Sequence, residues 1–322
     1  MSDSVTPNPR TPVDYFWLFA RGFAMGCADV VPGVSGGTIA FVLGIYEELV
    51  HAIKTLSDPA TLKMVFTFQI QRAFRELPWP FLLAIATGIL TAVFTVAQLL
   101  EWLLENQPVF LWSFFFGLVL ASAWVVRSRM EHWNAATLSA LIIATIGAFW
   151  IVTLVPVQTP SVWWFYFLSG AIAICAMILP GISGSFILVL LGKYQQILTA
   201  VNDRDLLTLF WVALGAGIGI VTFAQLVSFL FKRFHNVTLA ALIGLMLGSV
   251  VKIWPWKQVL DSTVDSSGHT IILREINVLP AAVNAEVFIA IGLALAGFAL
   301  VLVFEHLTNR KLPTSVPSHA TD

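Results

Sequence analysis

The sequence predicts an all-α integral membrane protein made of two inverted repeats, each a re-entrant helical hairpin followed by three transmembrane helices. Three observations predict it. Of 322 residues, 58% are hydrophobic and 11% charged, with mean hydropathy +0.87, whereas soluble domains are about a quarter charged. Several apolar runs reach the roughly 20 residues that cross a ~30 Å hydrocarbon core. A stretch interrupted by proline, glycine and serine also occurs twice within apolar sequence: DVVPGVSGGTIAFVLGIYEEL from Asp29 to Leu49, and MILPGISGSFILVLLGKYQQI from Met177 to Ile197.

Residues 1–14 form a polar, proline-rich tail that reads as disordered. It has no positive region leading into a cleavable apolar segment, so no signal peptide is expected. Repeat 1 covers 15–155: a re-entrant hairpin over 15–53, a polar linker from Lys54 to Pro78, and helices over 81–104, 108–127 and 135–155. Repeat 2 covers 156–305: a hairpin over 163–201 and helices over 208–231, 236–254 and 286–305, with a long polar loop around Asp261–Glu275. Residues 306–322 are a second polar tail. Cys27 and Cys175 lie in apolar stretches and read as small buried fillers, not as a disulfide framework.

The halves align residue by residue. With Pro32 on Pro180, Gly22 meets Gly170, Cys27 meets Cys175, and Gly33, Ser35 and Gly36 meet Gly181, Ser183 and Gly184. Leu43-Gly44 meets Leu191-Gly192, and Tyr46 meets Tyr194. Beyond the linker the register shifts: Gly88 meets Gly215, Ala97-Gln98-Leu99 meets Ala224-Gln225-Leu226, and Gly117-Leu118 meets Gly244-Leu245. Two registers sharing rare residues point to duplication.

Each interrupted segment has about 16 apolar residues on either side of its Pro-Gly-x-Ser-Gly break. At 1.5 Å per residue an arm of about 24 Å falls short of a crossing. Re-entry is therefore expected, one long kinked span with a short interfacial helix being the alternative. A re-entrant hairpin adds no net crossing and three helices add three, so the second repeat starts on the opposite face. With a cytoplasmic N-terminus, Arg10, Arg21, Lys54, Lys63, Arg72, Arg75, Arg127, Arg129, Lys232, Arg233, Arg310 and Lys311 lie inside, and Lys193, Arg204, Lys252, Lys257 and Arg274 outside. That agrees with the positive-inside bias and puts both termini in the cytoplasm.

Unpaired backbone groups in hydrocarbon are costly, so the breaks must face protein, water or a ligand. Inverted repeats with discontinuous helices are the pattern of secondary transporters, whose site lies where the broken elements meet. Glycines at 33, 36 and 37 permit close backbone approach, and Ser35 and Thr38 are expected to cap the following half-helix. Free N–H groups at such an end suit an anion. The expected binding residues are therefore Arg21, Gly33, Ser35, Gly36, Gly37 and Thr38 in the first hairpin, and Gly181, Ser183, Gly184, Ser185 and Lys193 in the second. Asp29 stands opposite Met177 and is the first candidate for proton exchange, with Glu47 and Glu48 behind it. Arg21 is expected to pair with Asp29 or with an anionic substrate. Gln98 and Gln225 either line the cavity or bond neighbouring helices.

The paired PGVSGG…LGIYEEL and PGISGS…LLGKYQQI resemble the bacterial polyprenyl-phosphate transporter family, formerly a domain of unknown function, over about 15–305. The resemblance implies a flippase that returns undecaprenyl phosphate, the lipid carrier of cell-envelope synthesis, across the cytoplasmic membrane. The expected partners are that lipid and the surrounding membrane lipids, with no nucleic acid; a homo-oligomer is left open. A small-anion channel or exchanger is the rival reading. Gly33-Val34-Ser35-Gly36-Gly37 also matches G-x-S-x-G, but the six histidines fall in loops, tails or helix ends and the second copy ends Gly184-Ser185, so no catalytic residue, cofactor or metal is expected.

Overall fold

In a computed structural model the described residues are 10–31, 34–56, 61, 77–157, 159–264 and 270–309. Gly33, Pro32, most of the Lys54–Pro78 linker and most of both tails lie outside them.

The first segment forms α1 (Pro12–Val30), α2 (Gly36–Val42) and α3 (Tyr46–Leu56). Helix α1 starts inside the expected tail. Thr11 and Asp14 close a capping box around Pro12 at the first helical position, which satisfies N–H groups that would otherwise be orphaned. Next come α4 (Trp79–Asn106), α5 (Pro108–Ser128) and α6 (Ala135–Thr153). The second segment repeats the first pattern as α7 (Trp163–Ile178), α8 (Gly184–Leu190) and α9 (Tyr194–Asn202). Helix α10 (Leu206–Ser249), a 3₁₀ turn (Val250–Ile253), strands β1 (Lys257–Val264) and β2 (Thr270–Asn277), and α11 (Ala285–Asn309) complete the chain. Among the described residues five helices are long and apolar enough to cross a membrane, or six if α8 and α9, bent by 107°, form one span.

Two expectations change. The returning arms are only 7 residues each, not about 16, because each ends at a left-handed glycine, Gly44 (φ 72°) or Gly192 (φ 63°). In both, the glycine N–H bonds the carbonyl three back (Phe41, Val189) and the next N–H the carbonyl five back (Ala40, Leu188), the hydrogen-bond pair of a Schellman cap. Helices expected at 208–231 and 236–254 run together as α10, whose 44 residues break only at Phe234 (φ −137°, ψ 48°). At 1.5 Å per residue that length is about twice a hydrocarbon core, so the break at Phe234 divides two arms.

The polar loop at Asp261–Glu275 lies largely in the antiparallel hairpin of β1 and β2, the one departure from an all-helical chain among the described residues. Glu275 clamps its base, accepting from Lys252 Nζ (2.8 Å) and Lys257 Nζ (2.9 Å). Burial pushes the Lys257 ammonium down to about 8 against the pull of Glu275. For Glu275, burial alone would raise the carboxyl, but the two lysines outweigh it and hold it below the usual carboxylate range.

Helices pack through glycines. A side chain at Gly22 or Gly88 would strike the facing backbone of α4 or α1, and one at Gly170 or Gly215 would do the same between α7 and the first arm of α10. Gly117 and Gly297 join α5 to α11, while Gly244 and Gly248 join the second arm of α10 to α6. Small residues let helix backbones approach closely where no hydrophobic drive separates helix from lipid. The third helix of each half therefore packs on the second helix of the other half. Many large apolar side chains on the long helices, such as Phe94, Trp150, Leu206 and Phe288, are exposed, as a lipid-facing surface requires.

Candidate functional site

The two interruptions touch. Ser35 closes the N-terminal end of α2, accepting from Gly37 N–H (3.1 Å), and its hydroxyl faces the carbonyls of Met177 (3.1 Å) and Leu179 (3.3 Å) at the end of α7. Thr38 Oγ1 accepts from Gly181 N–H (2.8 Å). The expectation that Thr38 caps its own half-helix is thus corrected: its hydroxyl serves the other hairpin. Both side chains are buried, so these bonds supply partners for backbone groups that no helix satisfies. Gly37 makes the contact feasible, since a Cβ there would sit 2.6 Å from the Ile178 carbonyl oxygen. Gly181, at φ 90°, seats its backbone against Leu245 and Ser249 of α10, a conformation that glycine adopts without strain.

Around this shared core the two hairpins differ. In the first, Asp29 Oδ1 accepts from Gly36 N–H (2.7 Å), so the chain's own carboxylate sits at the start of α2. At the other end, Arg129 donates to the carbonyls of Phe41 (3.4 Å) and Val42 (3.3 Å), a cation placed where the helix dipole favours one. In the second, Met177 takes the place of Asp29, and Ser183 and Ser185 hydrogen-bond each other (2.7 Å). Gly184 packs on the Ala173 carbonyl, which folds α8 back along α7.

Lys193 follows the glycine cap of α8, where the first hairpin has Ile45. It is fully buried. Its ammonium donates to the Thr159 carbonyl (3.0 Å) and Gln196 Oε1 (2.8 Å) and lies 4.9 Å from the Tyr166 ring centroid. Tyr166 and Ser161 hydroxyls point at the same Gln196 oxygen. Among the described residues no carboxylate pairs with Lys193. A buried ammonium without a counter-charge is costly, and an anion would relieve it.

Other expected site residues stand apart. Arg21 forms no ion pair with Asp29 among the described residues; eight residues along α1 separate them by about 12 Å of helix. Glu48 pairs with Arg10 (2.6 Å) and Glu47 with His235 (3.4 Å), both part-exposed and away from the breaks. Gln98 and Gln225 are exposed. Gly33 lies outside the described residues. Ser35 has no histidine partner among the described residues, so the G-x-S-x-G match lacks its base. The sequence reading missed Arg129, counted only as an inside charge, and the receiving carbonyls of Met177 and Leu179. No side-chain pattern announces a backbone acceptor more than 140 residues away.

The geometry defines a multi-span membrane protein whose two glycine-broken hairpins meet through their interruptions. The chain belongs to the undecaprenyl phosphate translocase-like (VCA0040-like) family, whose model matches residues 25–271. It is similar to a polyprenyl-phosphate transporter of Vibrio cholerae, at 42% identity over 92% of this chain and 98% of that one. A polyprenyl-phosphate transporter of Staphylococcus aureus is 29% identical over 74% of this chain and 86% of that one. No solved structure matches.

Proposed function

We propose that this protein is a flippase for undecaprenyl phosphate or a similar polyprenyl phosphate in the bacterial cytoplasmic membrane, recycling the carrier for envelope synthesis. The observation that carries the reading is the direct contact of the two breaks inside the bundle, in a chain whose relatives are named for this substrate. The phosphate crosses where the hairpins meet, handled by Ser183 and Ser185 and by the uncompensated charge of Lys193, while the isoprenoid tail stays in lipid. Gly33, Gly36, Gly37, Gly181 and Gly184 let the backbones converge, and Ser35 and Thr38 hold them together. Arg21, facing the other side of the membrane, receives the headgroup there. The halves are inverted repeats with both termini in the cytoplasm. The matched glycine caps and the reciprocal packing of each third helix support that reading. Asp29 carries the coupling proton, because it alone among the candidate acids reaches a break.

The test is reconstitution. Polyprenyl phosphate moving between liposome leaflets without chloride or phosphate flux is expected; flux of the small anions without lipid movement would sink the reading in favour of a channel or exchanger. Asp29→Asn is expected to keep the fold, since its amide oxygen still accepts from Gly36, and to flatten the pH dependence of transport. An unchanged pH profile would remove Asp29 from the mechanism.

A further inference from the structure

The break of α10 at Phe234 opens a cavity of about 290 Å³ between its two arms. Phe223, Val227 and Leu230 line it from the first arm, and Val237, Ala241 and Leu245 from the second. These residues recur every three or four positions, so each arm presents one apolar face. The single hydroxyl in the lining, Thr238, already donates to the Phe234 carbonyl (2.9 Å). No lining group is left seeking a polar partner, which suits a hydrocarbon and no polar ligand. The cavity also runs into the contact of the two breaks: Leu179 lines it and offers its carbonyl to Ser35, while Leu245 lines it and packs on Gly181.

We infer that this V-shaped groove seats the isoprene units next to the phosphate of the lipid substrate, so that the tail leaves sideways while the headgroup is held at the breaks. The inference rests on the headgroup reading above and adds what that reading lacks, a place for the chain. A headgroup at Leu179–Gly181 puts the first carbons of its tail at the Leu179 and Leu245 end of the groove. From there the channel follows the two arms toward the vertex at Phe234, which is 49% exposed.

The experiment compares chain lengths on purified, full-length protein. Undecaprenyl phosphate and methyl phosphate, which carries no isoprene unit, are titrated against wild type, Ala241→Trp and Val237→Trp, with Leu226→Trp on the exposed face of the same helix as control. Filling the groove is expected to cost the long-chain ligand about tenfold in affinity and the short one less than about twofold, with the control unchanged. Equal losses for both ligands, or no loss for either, would overturn the assignment. If tryptophan lowers the melting temperature, Ala241→Leu carries the same comparison. A photoreactive phospholipid that labels the groove as well as a photoreactive polyprenyl phosphate would show an ordinary lipid-facing surface and would also overturn it. Wild-type protein that binds neither ligand is a different pattern: it would sink the headgroup reading and the groove assignment with it.

Discussion

The first break is charged at both ends by the protein itself, and the second is not. Asp29 sits at the start of α2 and Arg129 at its end, so that half-helix is complete. The second break has Met177 at the end of α7, a pair of mutually bonded serines at the start of α8, and, beyond the end of α8, the buried Lys193 with no acid paired to it among the described residues. Two segments with one sequence pattern thus differ in charge, one filled by the protein's own acid and the other open. The comparison teaches that two segments can share backbone geometry, down to matched glycine caps, while the charges placed around them differ.

The most severe way to break this comparison is to fill the open member. Met177→Asp, at a position 40% exposed, should place a carboxylate where the proposed function puts the phosphate and cut polyprenyl phosphate binding by about a hundredfold, since an unmatched like charge costs several kcal/mol. Binding measured on folded, monodisperse protein decides it, and unchanged affinity would show that the second break is not the open one. Lys193→Met comes next. Losing a charged donor should weaken binding roughly tenfold or more, yet the melting temperature should hold or rise, because an apolar side chain of similar volume no longer buries a lone charge. Joint loss of binding and stability would make Lys193 structural. The smallest effect concerns the linkage between the hairpins. Ser35→Ala removes the one hydroxyl proton that the Met177 and Leu179 carbonyls share and the acceptor of the Gly37 N–H and should cost about 1–2 kcal/mol of stability, whereas Ser183→Ala, which breaks only a serine–serine bond, should cost under about 0.5 kcal/mol. Equal costs would erase the distinction.

The membrane class and the predominance of long apolar helices were legible, because apolar runs are local signals. Gly44 and Gly192 align in the sequence, but that they end the returning arms was not read from it, and the arms were left too long. The strands at 257–264 and 270–277 were read as loop, since a short polar hairpin gives a weak pattern beside helices of twenty or more residues. Arg21 and Asp29 looked like partners because both are charges in apolar sequence, but helical rise keeps them apart. Lys193 was placed in the candidate site, but its burial was not legible: Thr159, Tyr166 and Gln196 reach it only once the chain has folded back.

The reciprocal packing of α5 on α11 and of α6 on α10 also constrains how the chain can be made. Neither half closes its own core: α5, finished by residue 128, waits for a partner that begins at residue 285. Such distant pairing delays the last stage of assembly until nearly all of the polypeptide has been synthesised and inserted. The same interlock means that the halves cannot be parted by cutting between them, so a chain nicked near residue 158 should still purify as one particle.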